Sequence, residues 1–192
     1  MAPSRDPDAH HRRSLRLRDY DYDQLGAYFV TICTRERVPL FGDVVDGEIQ
    51  LSAYGQIVNE EWAYTELIRA RVILDAYVIM PNHVHDVVVI ADVPHATEGV
   101  WPYAPTDHPR GHPLRSPSLT IGAIVRGFKG AATTRINTAR GTPRTPVWQR
   151  NYYEHVIRDD ANLERIRSYI TANPGRWAED EENPARIVRQ RR

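Results

Sequence analysis

The sequence predicts an α+β fold, an antiparallel sheet packed with amphipathic helices, and three observations carry that expectation. Short β-branched and aromatic runs alternate with stretches of helical periodicity. Two apolar runs, Val72 to Met80 and Val84 to Ile90, are separated by a short turn sequence containing Pro81-Asn82, so they pair as adjacent antiparallel strands. The chain has 192 residues, 41% hydrophobic and 26% charged, which suits one core of ordinary size.

Residues 1–19 are polar and cluster Arg12, Arg13, Arg16 and Arg18, as expected of a basic flexible arm able to lie along a phosphate backbone. Ala27 to Thr34 reads as a strand. Asp46-Gly47 between short apolar runs signals a hairpin, because both residues tolerate positive φ. Ser52 can cap a helix in which Tyr54, Ile57, Val58, Trp62 and Ile68 recur at helical spacing up to about Arg69. After the paired strands, residues 92–117 are rich in Pro and His without periodicity and read as a mobile loop, with His95, His108 and His112 solvated.

Leu119, Ile121, Ile124, Val125 and Phe128 begin a second amphipathic helix that runs to about Ala139, and Gly141 to Pro146 break it. Val147 to Arg158 has the content of a short strand or extended segment. A last helix spans about Asp160 to Ala172, with Leu163, Ile166 and Ile170 on one face, and Pro174 disfavours helix at Asn173. The charged tail, residues 178–192, is expected to fray. The order β, hairpin, α, β, β, α, β, α matches a ferredoxin-like split βαβ sheet with helices packed on one face and a C-terminal helix that carries Tyr169. A single domain over residues 20–177 follows, although such a sheet hosts many functions.

Composition closes several routes. Cys33 is the only cysteine, which excludes an internal disulfide and a thiolate metal cluster, and its setting in Tyr28-Phe-Val-Thr-Ile-Cys-Thr34 is that of a small buried strand residue. Nothing approaches a membrane span and the N-terminus lacks an apolar signal core, so a cytoplasmic location is expected. The net charge of zero hides a one-sided distribution. From His108 through Tyr153 there is no acidic residue, whereas Arg110, Arg115, Arg126, Lys129, Arg135, Arg140, Arg144 and Arg150 are all basic. Such a stretch suits a polyanion, and Lys129 is the only lysine, so phosphate contact would fall largely to guanidinium groups; a merely solvated basic surface would look the same.

His83 and His85 flank Val84 at the start of an apolar run. On a strand, residues i and i+2 share a face, so the two imidazoles sit close enough to bind one cation while leaving positions open. Two polar residues beside a turn would show the same pattern, and the pair alone does not decide. Tyr169 and Asn173, four apart on the last helix, share a face and would bring a phenol and an amide oxygen to that cation if the helix packs on the His-bearing strand. A phenol with a reference pKa of about 10 is a poor nucleophile near neutrality, and a divalent cation helps by polarising a phosphate under attack. A tyrosine beside Ile170 is otherwise an ordinary boundary residue.

Taken together, Met80-Pro-Asn-His-Val-His85, Phe128-Lys129-Gly130, Val147-Trp-Gln-Arg-Asn-Tyr-Tyr-Glu-His-Val-Ile-Arg158 and Ile166-Arg-Ser-Tyr-Ile-Thr-Ala-Asn-Pro174 resemble the single-tyrosine HUH transposases. The nearer resemblance is to the REP-associated tyrosine transposases, over residues 13–177. It implies a metal-dependent single-stranded DNA endonuclease and strand transferase acting on short palindromes folded as hairpins. By that resemblance His83 and His85 bind Mg²⁺ or Mn²⁺, and Asn173 stands where the third ligand is often Gln. Tyr169 attacks the phosphodiester, forming a 5′-phosphotyrosine link and releasing a 3′-OH. Arg12, Arg13, Arg126, Lys129, Arg135 and Arg150 then become candidates for DNA contact, with Trp148, Tyr152 and Tyr153 for base stacking.

Three points stay open at the level of sequence. Tyr152 and Tyr153 rival Tyr169 as nucleophile. Asp86, where relatives carry a small or apolar residue, would either add a ligand or face away, and His155 would either support the site or be structural. Self-association, with the tyrosine helix exchanged between copies, is compatible with the resemblance. A catalytically silent hairpin-binding module on the same fold is the alternative function. A histidine-triad phosphoesterase would need a third alternating His, and position 87 is Val.

Overall fold

A computed structural model describes residues 25–91 and 119–186. The arm with Arg12 and Arg13 and the loop at 92–117 lie outside the described residues. Four strands, β1 (Gly26–Cys33), β4 (Val72–Met80), β5 (His83–Ile90) and β6 (Tyr153–Ile157), form an antiparallel sheet in the order β4-β5-β1-β6. The hairpin β2 (Gly42–Val45) and β3 (Glu48–Leu51) stands apart, turned by Asp46 and Gly47 at φ 53° and 80°.

Helix α1 (Ala53–Leu67) is capped by Ser52, whose hydroxyl accepts from the Gly55 N–H, and α2 (Ile121–Ala139) is capped by Thr120 in the same way. Both pack on one face of the sheet. Their core joins Tyr28, Val30 and Ile32 of β1 and Val84 and Val88 of β5 to Val58, Trp62, Ile124 and Phe128 of the helices. Arg135 ties the helices together, donating to Glu60 at 2.5 Å and Glu61 at 2.9 Å. The expected α+β antiparallel sheet is therefore present, with α1 and α2 on one face.

The C-terminal helix α3 (Asp160–Ala172) lies across the other face, where Ile166 and Ile170 close a second core with Val87, Ile157, Phe29 and Val78. β4 carries a bulge between Leu74 and Tyr77. Alternation slips by one there, so Leu74 packs into the first core and Ala76 into the second. Asp75 in the bulge receives a bidentate bond from Arg167 of α3, at 2.6 and 2.7 Å, a second tie between the helix and the sheet beside the Ile166 and Ile170 packing.

Two expectations need adjustment. The 147–158 segment is a strand only from Tyr153, because Trp148 turns inward to pack on Phe41 and Phe128 and pairs with Thr34 through an isolated bridge. The described part of the charged tail does not fray. A 3-10 turn (Pro174–Glu179) leads to Asp180 and Asn183, each 7% exposed, because its polar groups find partners on the domain. Arg37 binds Glu182 at 2.5 Å, and Asn82 donates to the Glu182 carbonyl at 2.8 Å. Among the described residues no helix is long and apolar enough to cross a membrane.

Candidate active site

His83 and His85 open β5 on the face that α3 covers, and both are buried. Register places Cys33 opposite His83 and Thr31 opposite His85. Each imidazole uses its Nδ1 on the protein. His83 Nδ1 lies 2.8 Å from Asn82 Oδ1, and because the Asn82 amide nitrogen is committed to two carbonyls, that oxygen can only accept. His83 Nδ1 is therefore protonated, and its Nε2 carries the lone pair. His85 Nδ1 lies 2.9 Å from the Thr31 hydroxyl, leaving Nε2 to face the Tyr169 hydroxyl at 3.1 Å.

The hydrophobic face of α3 delivers Tyr169. Ile166 and Ile170 bury against the sheet and turn Tyr169 to the boundary, 41% exposed, with its ring 5.2 Å from His85 and edge-on to Phe29 at 6.1 Å. The phenol and the imidazoles thus meet within one chain. Tyr169 lines an open cleft of about 430 Å³ together with Asn173, Arg176, Asp180 and Glu181.

A carboxylate that sequence reasoning missed completes the cluster. Ligand atoms of His83, His85 and Asp180 all lie within 4.8 Å of one another. Asp180 closes the 3-10 turn after α3, and Asn173 donates to its Oδ2 at 2.8 Å. Nothing in the acidic run Glu179 to Glu182 distinguishes Asp180, since a 3-10 turn follows neither period that sequence patterns report. Asn173 is buried at the end of α3, where its amide oxygen has no partner among the described residues; His83 Nε2 has none either. Two orphaned acceptors beside a carboxylate fit a cation of the Mg²⁺ or Mn²⁺ kind, for which nitrogen and oxygen ligands are suitable.

Electrostatics favour that reading. Burial, and then Arg37, push the His83 pKa down to about 3, and burial with His83 holds His85 well below its ordinary value. Both imidazoles are therefore neutral near neutrality. Tyr169 moves the other way, to about 12, through burial and the negative charge of Asp180, Glu181 and Glu182, with Asn173 opposing. The phenol is fully protonated near pH 7 while the site holds only these acids.

Asp86 points away from the imidazoles, since alternation sends it to the α1 face, where it is fully buried and accepts from Trp62 Nε1 at 2.6 Å. Burial raises its pKa well above the usual carboxylate range, and its place on the α1 face keeps it from the imidazoles. His155 is exposed, 3.3 Å from Asn162 at the start of α3.

Candidates for DNA contact separate by position. Lys129 is held inward, donating to the Gln149 and Asn151 carbonyls at 2.9 and 3.0 Å, and Arg135 is bound to Glu60 and Glu61. Trp148 is 8% exposed within the first core. Tyr152 lies on the α2 side, its hydroxyl donating to Glu154 at 2.8 Å and its ring 5.7 Å from Lys129 Nζ. Tyr153 shares the Tyr169 side, pairs with Thr31, meets Phe29 edge-on and is 43% exposed. Arg126 and Arg150 are exposed.

No family model matches the chain. An uncharacterized protein of Haemophilus influenzae is 37% identical over 172 residues, covering 90% of this chain and 93% of that protein. Among solved structures, a REP-associated tyrosine transposase bound to a REP hairpin superposes with a TM-score of 0.52 at 20% identity, over 83% of this chain and 72% of that one. At that identity the likeness concerns the fold, and the shared layout is the mixed α+β sheet described above. The chain belongs to the family of the Haemophilus influenzae protein, and its fold is that of a REP-associated tyrosine transposase.

Proposed function

We propose that the protein is a metal-dependent endonuclease and strand transferase of single-stranded DNA, acting on hairpins of REP-like palindromic sequence with Tyr169 as nucleophile. The observation that carries this is the Tyr169 hydroxyl 3.1 Å from His85 Nε2, beside a second imidazole and a carboxylate. A phenol and an acid lining one cleft, with two buried neutral imidazoles beside them, suit phosphodiester attack. A bound divalent cation would polarise the phosphate and offset the charge of Asp180, Glu181 and Glu182.

His83 and His85 would hold that cation with Asp180, and the free oxygen of Asn173 remains a further ligand. Tyr169 Oη attacks phosphorus, the bond to the 3′ oxygen breaks, and the proton lost by the phenol is balanced by the one the departing 3′ oxygen takes up. The product is a 5′-phosphotyrosine and a free 3′-OH. Attack of that hydroxyl on the link reverses the step and rejoins strands without ATP. Arg150, exposed, is a candidate for the DNA backbone, as is Arg126, and Tyr153 offers an exposed ring for a base.

The test is a denaturing gel of labelled hairpin oligonucleotides with Mg²⁺ or Mn²⁺. A covalent adduct on the 5′ side is expected with the wild type and not with Tyr169→Phe. An adduct that survives in Tyr169→Phe and vanishes in Tyr153→Phe would overturn the nucleophile. Hairpin binding with no adduct under either metal would leave the silent binding module.

A further inference from the structure

The residue before the His pair, Asn82, is buried at 0% exposure, and its side-chain amide meets His83 on one side and two backbone carbonyls on the other. Asn82 Oδ1 accepts from His83 Nδ1 at 2.8 Å. Its amide nitrogen donates to the Arg37 carbonyl at 3.0 Å and to the Glu182 carbonyl at 2.8 Å. The two donations fix the orientation of the amide, and thereby leave the oxygen as the only group His83 can meet.

We propose that Asn82 is the positioning residue of the metal site, its oxygen setting the tautomer of His83 and its nitrogen docking the strap, residues 174–186, that carries Asp180. One side chain would thus bring an imidazole from β5 and a carboxylate from beyond α3 to a common ion. The inference rests on the metal reading given above.

Three further observations support it. His83 Nε2, opposite the atom that Asn82 engages, is the orphaned one, as a prepared ligand should be. Arg37 adopts φ 55° after Glu36 at 57°, a left-handed pair that non-glycine residues rarely form. That backbone turns the Arg37 carbonyl to Asn82 while its guanidinium binds Glu182, so both contacts seat the strap. Asp180 itself is held on the far side by Asn173.

The experiment reads Mn²⁺ affinity by calorimetry and hydrogen exchange of the 174–186 amides in the full chain, with near-UV circular dichroism as the folding control. Asn82→Ala is expected to weaken Mn²⁺ about 10- to 100-fold and to speed exchange along the strap. Asn82→Asp keeps an acceptor for His83 but has no N–H for the two carbonyls. It should loosen the strap as much as Asn82→Ala does, with a smaller loss of affinity. In an Asp180→Asn background, Asn82→Asp should add little further loss, because the strap then has no carboxylate to deliver. Wild-type strap protection in both Asn82 variants would overturn the proposal, as would fully additive losses in the double variant. If the wild type binds no Mn²⁺, the metal reading fails and the positioning role falls with it, whereas failure of Asn82 alone leaves wild-type Mn²⁺ binding intact.

Discussion

The hydroxyl of Tyr169 lies 3.1 Å from the Nε2 of His85, the same nitrogen that would ligate a cation. With His85 protonated on Nδ1, as ligation through Nε2 requires, the nucleophile and the ion compete for one lone pair, and an ion arriving at His85 frees the hydroxyl to turn towards substrate. Replacing the hydroxyl by hydrogen removes that competitor. Tyr169→Phe is expected to bind Mn²⁺ at least as tightly as the wild type while forming no DNA adduct; a drop in Mn²⁺ affinity of tenfold or more would show that the hydroxyl helps the ion instead.

Asp180 and Asn173 make separable contributions. Asp180→Asn removes a charged ligand but keeps an oxygen, and His83→Ala removes the orphaned nitrogen. Both are expected to lower Mn²⁺ affinity by at least tenfold. Asn173→Ala also frees Asp180 from its bond, so a loss as large as that of Asp180→Asn is expected if Asn173 both ligates and positions. Calorimetric titration of the three variants distinguishes these outcomes.

The basic residues should divide by what they already bind. Arg135→Ala is expected to cost about 1 kcal/mol of stability through its lost ion pairs and to leave hairpin affinity unchanged. Arg150→Ala should leave stability unchanged, weaken the hairpin and reduce the slope of log affinity against log salt by about one. Equal effects of the two on DNA binding would contradict the separation.

Trp62 and Asp86 meet in the interior on the α1 side of the sheet, with Trp62 Nε1 donating at 2.6 Å. Trp62→Phe leaves that buried oxygen without its donor and is expected to destabilise the fold by about 1–3 kcal/mol. Mn²⁺ binding should persist, because Asp86 faces away from the imidazoles. Denaturant unfolding and calorimetry on the same sample check both halves.

Lys129 gives a pH dependence. Burial lowers its pKa from 10.5 to about 8. Between these values the unfolded chain keeps a proton that the folded chain has released, so the Lys129 contribution to stability rises with pH across that window and is smallest below pH 8. The stability difference between wild type and Lys129→Met, measured by urea unfolding, should therefore shift in favour of the wild type from pH 8 to pH 10. A difference that stays flat with pH would show Lys129 to be as solvated when folded as when unfolded.

Local sequence determined most of the secondary structure and half of the site. Apolar spacing set α1, α2 and α3, Asp46-Gly47 set the hairpin, and strand alternation alone put His83 and His85 on one face with Asp86 on the other. These are properties of neighbours along the chain. Tertiary structure decided what those residues meet. Asp180 lies beside the imidazoles in a fold where α3 is bound to Asp75 through Arg167 and the segment after it to Asn82 through the Glu182 carbonyl, contacts between residues far apart in sequence. Lys129 and Arg135, indistinguishable by composition from Arg150, are drawn into carbonyl and carboxylate contacts by the packing of α2. A charge in sequence carries no record of its partner, and contacts over such long separations are settled only when the chain has folded.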